Sequence, residues 1–536
     1  MPMLPDPTPV LLAKGLAPEE ITQCLAPYGF QHLSRADANL QAMANEPGAR
    51  RALAAILPEL LAAVAETADP DQALNEWERY LASGIHRVQL FQYLAQAPRM
   101  LHLVCTIFGN SPAMAQTLIR DPFLIYWLGD EHVLECRPSA RILKEELTRT
   151  LSNFQTKALK LEALRRFKRR EMLRIGIRDL LRLADLQETV TALSDLAALV
   201  VQAAYDIIRH DLINRFGPPY HRRRGGIQSE TQFVVLGMGK FGGWELNYSS
   251  DIDLIYLYES SDGRTHATFS QREVSNEVFF ETLAKELTQA LTEATSEGAL
   301  YRVDLRLRPE GSVGPLAQAM DTALRYYRQR GRAWEKMAFL KAAPVAGSYE
   351  LGRRFLRRLR RVFWESASSD EEIVRTVRTL KAQIDAKMIR RNERERNVKL
   401  GEGGIREIEF LVQALQWKYA SRYPRLLERN TLKALRRLAR YGLLPSSAAS
   451  QLAQDYIFLR QIEHKLQMVN DLQTHVLPTA YDDLKKCAIR LGYAKSAPGN
   501  IVDQFLQEYR ACTQRVNAQF IDLCTGKIFL ADSCSA

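Results

Sequence analysis

The sequence predicts a predominantly helical α+β protein, with a small mixed β-sheet core embedded between helical regions and a helical bundle at its C-terminal end. Three observations predict it. Long stretches carry apolar residues at three- and four-residue spacing with few glycines. Residues 232–258 are instead short apolar runs, rich in β-branched and aromatic side chains, with glycines between them. A strict apolar–polar alternation follows at 300–307.

The helical spacing covers residues 52–66, 91–119, 141–214, 371–397 and 405–420. In the sheet region, Phe233-Val-Val-Leu-Gly237 reads as a buried strand and Asp251-Ile-Asp-Leu-Ile-Tyr-Leu-Tyr258 as a second. Residues 271–295 read as a helix, and Leu300-Tyr-Arg-Val-Asp-Leu-Arg-Leu307 as a third strand. His221-Arg-Arg-Arg-Gly-Gly226 reads as the loop entering this core. The expected organisation is a helical segment over 1–90, a helical region over 91–225, the core over 226–345 and the bundle over 346–536.

With 536 residues, 46% apolar and 25% charged, the composition is that of an ordinary globular protein. A net charge of +11 over so long a chain favours anionic partners and is too dilute to argue for nucleic acid. Seven cysteines without a Cys-x-x-Cys pair give neither a disulfide framework nor a zinc site. The start lacks the basic and apolar regions of a signal peptide, and no uninterrupted apolar run reaches bilayer length. The expectation is a cytoplasmic protein with no membrane or nucleic-acid partner.

The chemistry concentrates in the strands. Side chains two apart on a strand share a face, so Asp251 and Asp253 project together. On the third strand Asp304 shares a face with Arg302, Arg306 and Arg308. If these strands are neighbours, three carboxylates converge. Two carboxylates about 4 Å apart repel by roughly 4 kcal/mol at an effective dielectric near 20. Magnesium, which prefers carboxylate and phosphate oxygens, removes that cost, and two such ions suit phosphoryl-type transfer. The competing reading is a strand-capping Asp251 and an Asp304 paired with its arginine neighbours.

Gly237-Met-Gly-Lys-Phe-Gly-Gly243 contains a formal G-x-G-x-x-G after a strand, which invites a dinucleotide-binding reading. Only seven residues, Trp244–Ser250, separate it from the next strand. A parallel crossover needs about a dozen, so that reading fails. The turn is instead one whose glycines Gly239, Gly242 and Gly243 bring backbone N–H groups to phosphate, with Lys240, Ser249 and Ser250 as further donors, or else a purely structural loop.

At this point the residues resemble a known family. Gly237-Met-Gly-Lys-Phe-Gly-Gly-Trp-Glu-Leu-Asn-Tyr-Ser-Ser-Asp-Ile-Asp-Leu254 is similar to the nucleotidyltransferase signature of glutamine synthetase adenylyltransferase/adenylyl-removing enzymes. Arg302-Val-Asp-Leu-Arg-Leu-Arg-Pro-Glu-Gly311, Trp334-Glu335 with Lys341-Ala342, and Lys399-Leu-Gly-Glu-Gly-Gly-Ile-Arg-Glu-Ile-Glu-Phe410 follow in the family's order. Glu463-His464 and Gln473-Thr-His-Val-Leu-Pro478 look like its helical bundle. The resemblance runs from roughly residue 91 to 525. It implies a nucleotidyltransferase-type core, magnesium at Asp251, Asp253 and Asp304, nucleotide and phosphate as ligands, glutamine synthetase as partner and a nitrogen-signalling PII protein as a further one. The family's two-core enzymes remove AMP from a tyrosine by phosphorolysis in one core and attach it from ATP in the other; one core is legible here. Arg302-Val-Asp and Gly404-Ile-Arg-Glu-Ile-Glu-Phe look like the removing half.

Other residues carry two readings each. Arg306 and Arg308 clamp phosphate or pair with the aspartates. Lys341 contacts nucleotide or snorkels. Ile405, Ile408, Val412 and Leu415 make a buried helical stripe, leaving Arg406, Glu409 and Gln413 on another face that spacing alone assigns to solvent. The resemblance instead brings Arg406, Glu407 and Glu409 to the site's mouth. The alternative within the resemblance is ATP-dependent attachment of AMP to that tyrosine; rival functions are a non-catalytic regulatory module, against which the three aspartates count, and an RNA nucleotidyltransferase, which expects a denser basic surface.

Overall fold

The computed structural model describes residues 5–13, 16–135, 137–222, 226–268, 271–470, 472–495 and 499–530. The chain is predominantly helical with small mixed sheets. It divides into two compact units. One comprises Met1–Arg137, Met172–Asp185 and Gln461–Glu508; the other comprises Pro138–Glu171, Leu186–Arg460 and Tyr509–Ala536.

Among its described residues the first unit is helical. Trp77, Tyr80 and Phe108 meet edge-on at its centre, with centroids 5.1–6.1 Å apart, and all three are fully buried. Such pairs add about 0.5–1.5 kcal/mol each beyond the area they bury. The apolar stretch at 91–119 is not one helix. It spans Arg87–Gln96, Pro98–Asn110 and Pro112–Arg120, each break falling where a proline opens the next helix. Proline has no N–H to give an interior helical bond, and it costs nothing at a first position.

The second unit holds the sheets. Strands β1 (Pro219–Arg222), β2 (Gln228–Glu230), β3 (Phe233–Gly237), β4 (Ile252–Tyr258), β5 (Arg264–Thr265), β6 (Val303–Asp304), β7 (Ala317–Ala319) and β8 (Ala343–Gly347) form two of them. The smaller is antiparallel, ordered β2-β1-β5. The stretch expected as an entry loop therefore begins as strand at His221 and Arg222; residues 223–225 lie outside the described residues.

The larger sheet is ordered β6-β4-β3-β8, with β7 also on β4. β3 pairs antiparallel with β4 and with β8, whereas β6 and β7 run parallel to β4 at its two ends. Every residue of β3 is buried, which explains its unbroken apolar run. On one face Phe233 stacks against Tyr205 of helix Leu186–Phe216 and Phe280 of helix Asn276–Thr292.

Among the described residues one helix, Leu186–Phe216, is long and apolar enough by length and composition to cross a bilayer, although Glu188, Asp195 and Asp206 interrupt its apolar run. Most of its apolar stretch is buried inside the protein, as in a core helix. The helical spacing over 141–214 likewise resolves into three helices, Ala140–Ser152, Lys157–Leu180 and Leu186–Phe216.

The third strand also differs from expectation. It is two residues long. Arg308 turns inward and donates to the carbonyls of Leu305, Ser312, Gly314 and Pro315, closing the chain into a tight loop in which Glu310 and Gly311 take positive φ. The alternation at 302–308 therefore encodes a strand end followed by a turn.

Candidate active site

The register of β4 and β6 sets Asp253 directly beside Asp304, through the pairs Ile252↔Val303 and Asp253↔Asp304. Side chains at paired positions of neighbouring strands share a face. Asp251 immediately precedes β4 and adds a smaller repulsion to the same group.

The three carboxylates are not equivalent. Burial and then the Asp304 charge push Asp253 up to about 6; Lys399 and Arg406 act against this, and Asp251 adds to it. Asp304 is held below the usual carboxylate range by Arg306, whose Nε lies 3.0 and 2.9 Å from its two oxygens and whose backbone N–H donates at 2.8 Å. Asp251 accepts from Arg302 Nε at 2.7 Å, and the same guanidinium donates to the carbonyl and hydroxyl of Ser249.

The glycine turn lies against this group. Met238 N–H donates to the Asp253 carbonyl at 2.9 Å. Gly239 has φ +52°, and a Cβ there would sit 2.7 Å from Asp253 Oδ2. At Gly242 a Cβ would sit 1.9 Å from the Lys341 carbonyl and 2.3 Å from that of Gly237. Both positions require glycine through close approach. The antiparallel pairing of β3 with β4 also leaves no parallel crossover for a dinucleotide-binding unit. Gly243 abuts Glu245, and the Ser250 hydroxyl accepts from Asn247 N–H.

Two cations act on Asp253 from elsewhere: Lys399 and Arg406. Lys399 lies in the loop before helix Ile405–Tyr419, and Arg406 in that helix's first turn. Sequence reasoning passed over Lys399, although it opens one of the motifs quoted above.

Several expected ligand contacts take other roles. Arg308 is buried and occupied by loop carbonyls, so it is a loop-closing group and does not clamp phosphate. Lys341 neither snorkels nor reaches outward. Its side chain is 7% exposed, and its ammonium meets Glu245 at 2.5 Å, Glu409 at 3.1 Å and the Thr431 hydroxyl at 3.0 Å. Glu409 and Gln413 are buried, correcting the solvated face that spacing gave them. Burial would raise Glu409, but Lys341 and then Arg406 outweigh it and hold it far below the usual range. Glu407 is buried too. It accepts from Gly403 N–H at 3.0 Å and Asn517 at 3.2 Å and pairs with Lys381 at 2.8 Å, and burial raises it.

Whether these residues suit a divalent cation can be judged from the donors. Asp253 and Asp304 offer hard oxygens in register, with no sulfur or imidazole among them, and repulsion between them is answered only in part by nearby cations. That fits magnesium. Among the described residues, no three His, Cys, Asp or Glu side chains are already gathered as a metal cage, because Asp251 and Asp304 are drawn to Arg302 and Arg306. The trio expected from sequence is thus a close pair with a third carboxylate held aside.

Residues 101–358 match the family model described as glutamate-ammonia ligase adenylyltransferase, and residues 378–524 match that of GlnD PII-uridylyltransferase. The chain is 39% identical over 396 residues to the bifunctional glutamine synthetase adenylyltransferase/adenylyl-removing enzyme of Nitrosococcus oceani, covering 74% of this chain and 40% of that protein. It is 39% identical over 387 residues to the same-named protein of Thioalkalivibrio sulfidiphilus (72% and 39%) and 36% identical over 420 residues to that of Hahella chejuensis (78% and 42%). The chain spans about two fifths of the length of these curated relatives.

Proposed function

Since the chain belongs to the glutamine synthetase adenylyltransferase family, whose members are nucleotidyltransferases, we propose that it transfers AMP at a tyrosine of glutamine synthetase, in the direction of phosphorolytic removal. The observation that carries the site is the Asp253–Asp304 register beside Gly239. The direction rests on Arg302-Val-Asp-Leu-Arg-Leu-Arg-Pro309 and Gly404-Ile-Arg-Glu-Ile-Glu-Phe410, which are similar to the removing half of the family.

In this reading an oxygen of inorganic phosphate attacks the AMP phosphorus. The new P–O bond makes ADP, the bond to the tyrosine oxygen breaks, and the phenolate takes up a proton. Lys240, Arg406 and Lys399 present positive charge to phosphate, and the glycine turn brings its backbone against the nucleotide. Asp253 and Asp304, joined by Asp251 once Arg302 releases it, would hold magnesium, which supplies charge stabilisation for the leaving oxygen; two ions fit this chemistry. Arg306 orients Asp304 and keeps it ionised. The match of 378–524 to PII-uridylyltransferases supports a PII-type signalling protein as a further partner, and the reading places the reaction in the cytoplasm.

The test uses two incubations of the full chain with magnesium: adenylylated synthetase plus phosphate, and unmodified synthetase plus ATP. Loss of AMP mass from the tyrosine peptide in the first alone supports the proposal; gain in the second alone reverses its direction; no change in either refutes it.

A further inference from the structure

We infer that Lys341 is a positioning residue that ties the glycine turn to the helix carrying Arg406, and so fixes the cationic side of the site against its aspartates. The inference rests on the reading above for its chemistry and on contacts alone for its geometry.

An ammonium has three N–H donors. Those of Lys341 are matched by Glu245 Oε2, Glu409 Oε1 and Thr431 Oγ1 within 3.1 Å, which leaves none for a nucleotide. Each acid is used twice. The second oxygen of Glu245 accepts from Thr431 N–H at 2.6 Å, and that of Glu409 pairs with Arg406 at 3.2 Å. A continuous path therefore runs from the turn through Glu245, Lys341 and Glu409 to Arg406, one of the two cations that act on Asp253.

Other side chains brace the turn as well. Arg460, 1% exposed, donates to the Glu245 carbonyl at 2.7 Å and to the Asn247 side chain. Trp244 takes φ +58°, a conformation bulky residues rarely adopt, and its indole N–H donates to Asp195 at 2.8 Å. A backbone held in such a region needs surroundings that over-determine it. Buried ion networks are often replaceable by apolar groups without loss of stability, so their value here lies in fixing geometry.

The experiment compares the full chain with Glu409→Gln and Lys341→Met, by hydrogen exchange and by steady-state kinetics. Glu409→Gln keeps Lys341 paired with Glu245 and is the variant expected to fold. In both variants the amides of 237–250 should exchange at least about tenfold faster, with the helix Pro47–Glu66 unchanged. Glu409→Gln should raise the KM for phosphate about tenfold, more than it lowers kcat, and leave the KM for adenylylated synthetase within about twofold. Unchanged exchange at 237–250 in Glu409→Gln overturns the inference, as does faster exchange spread evenly over the chain, the mark of a merely structural role. Should the chain lack AMP-removing activity, the functional reading fails while the exchange result still decides this one.

Discussion

Gly239 stands so close to Asp253 that a single added carbon at its Cβ position would lie 2.7 Å from the Asp253 Oδ2 oxygen. The glycine of the turn and the aspartate of the strand are thus one geometric unit, and the turn's sequence is read most directly through that approach.

Gly239→Ala should therefore damage activity out of proportion to stability. The positive φ costs about 1–2 kcal/mol, and the methyl displaces the Asp253 carboxylate. We expect a loss of about a hundredfold in kcat/KM, the scale of removing one critical electrostatic group, with a melting temperature lowered by only a few degrees. Calorimetry beside initial rates checks both. Near-normal turnover would mean that Asp253 does not act at this turn.

Asp253 gives a pH signature. Burial and the Asp304 charge raise it from 3.8 to about 6, so the folded protein holds this proton more tightly than the unfolded chain. That contribution to stability is full below about pH 4 and is lost as pH rises through about 6, leaving a destabilising charge at neutral pH. Without divalent cations, Asp253→Asn should be more stable than the parent by about 3 kcal/mol at pH 8, and by almost nothing at pH 4. Urea unfolding at the two pH values measures this. A gain that grows toward acid pH would contradict the sign.

Magnesium should largely cancel that difference. A ligand that binds only the folded chain stabilises it by about 2.7 kcal/mol at a hundred times its Kd. Saturating magnesium at pH 8 should raise the melting temperature of the parent and leave Asp253→Asn and Asp304→Asn unmoved. Equal shifts in all three would locate the ion elsewhere.

The two arginines after Asp304 should separate cleanly. Arg308→Met removes a buried guanidinium that donates to four carbonyls of its own loop, so it should cost about 2–4 kcal/mol of stability. Arg306 is exposed, so Arg306→Met should leave stability nearly unchanged while lowering activity through Asp304. Denaturation curves and rates on the two variants distinguish these outcomes.

Much of the core was legible because local chemistry dictates it. Phe233–Gly237 and Ile252–Tyr258 announce themselves as largely buried strands, and the short spacing after Gly243 excludes a parallel crossover. The two-residue β6 was over-read as a long strand, because Arg308 reaches carbonyls up to seven residues on, and alternation cannot reveal such a turn. Lys341, Glu245 and Glu409 were opaque for a related reason: charges at helical and turn positions read as solvated until the fold buries them together. The β8 strand, short and itself containing Pro344 and Gly347, gave no periodic signal at all.

The central claim, that Asp253 and Asp304 jointly hold a hard dication, is tested most directly by anomalous X-ray scattering from crystals grown with manganese in place of magnesium. The account predicts an anomalous peak shared by these two carboxylates, lost in Asp253→Asn. A manganese-loaded crystal with no peak there, or with its peak elsewhere, would contradict it.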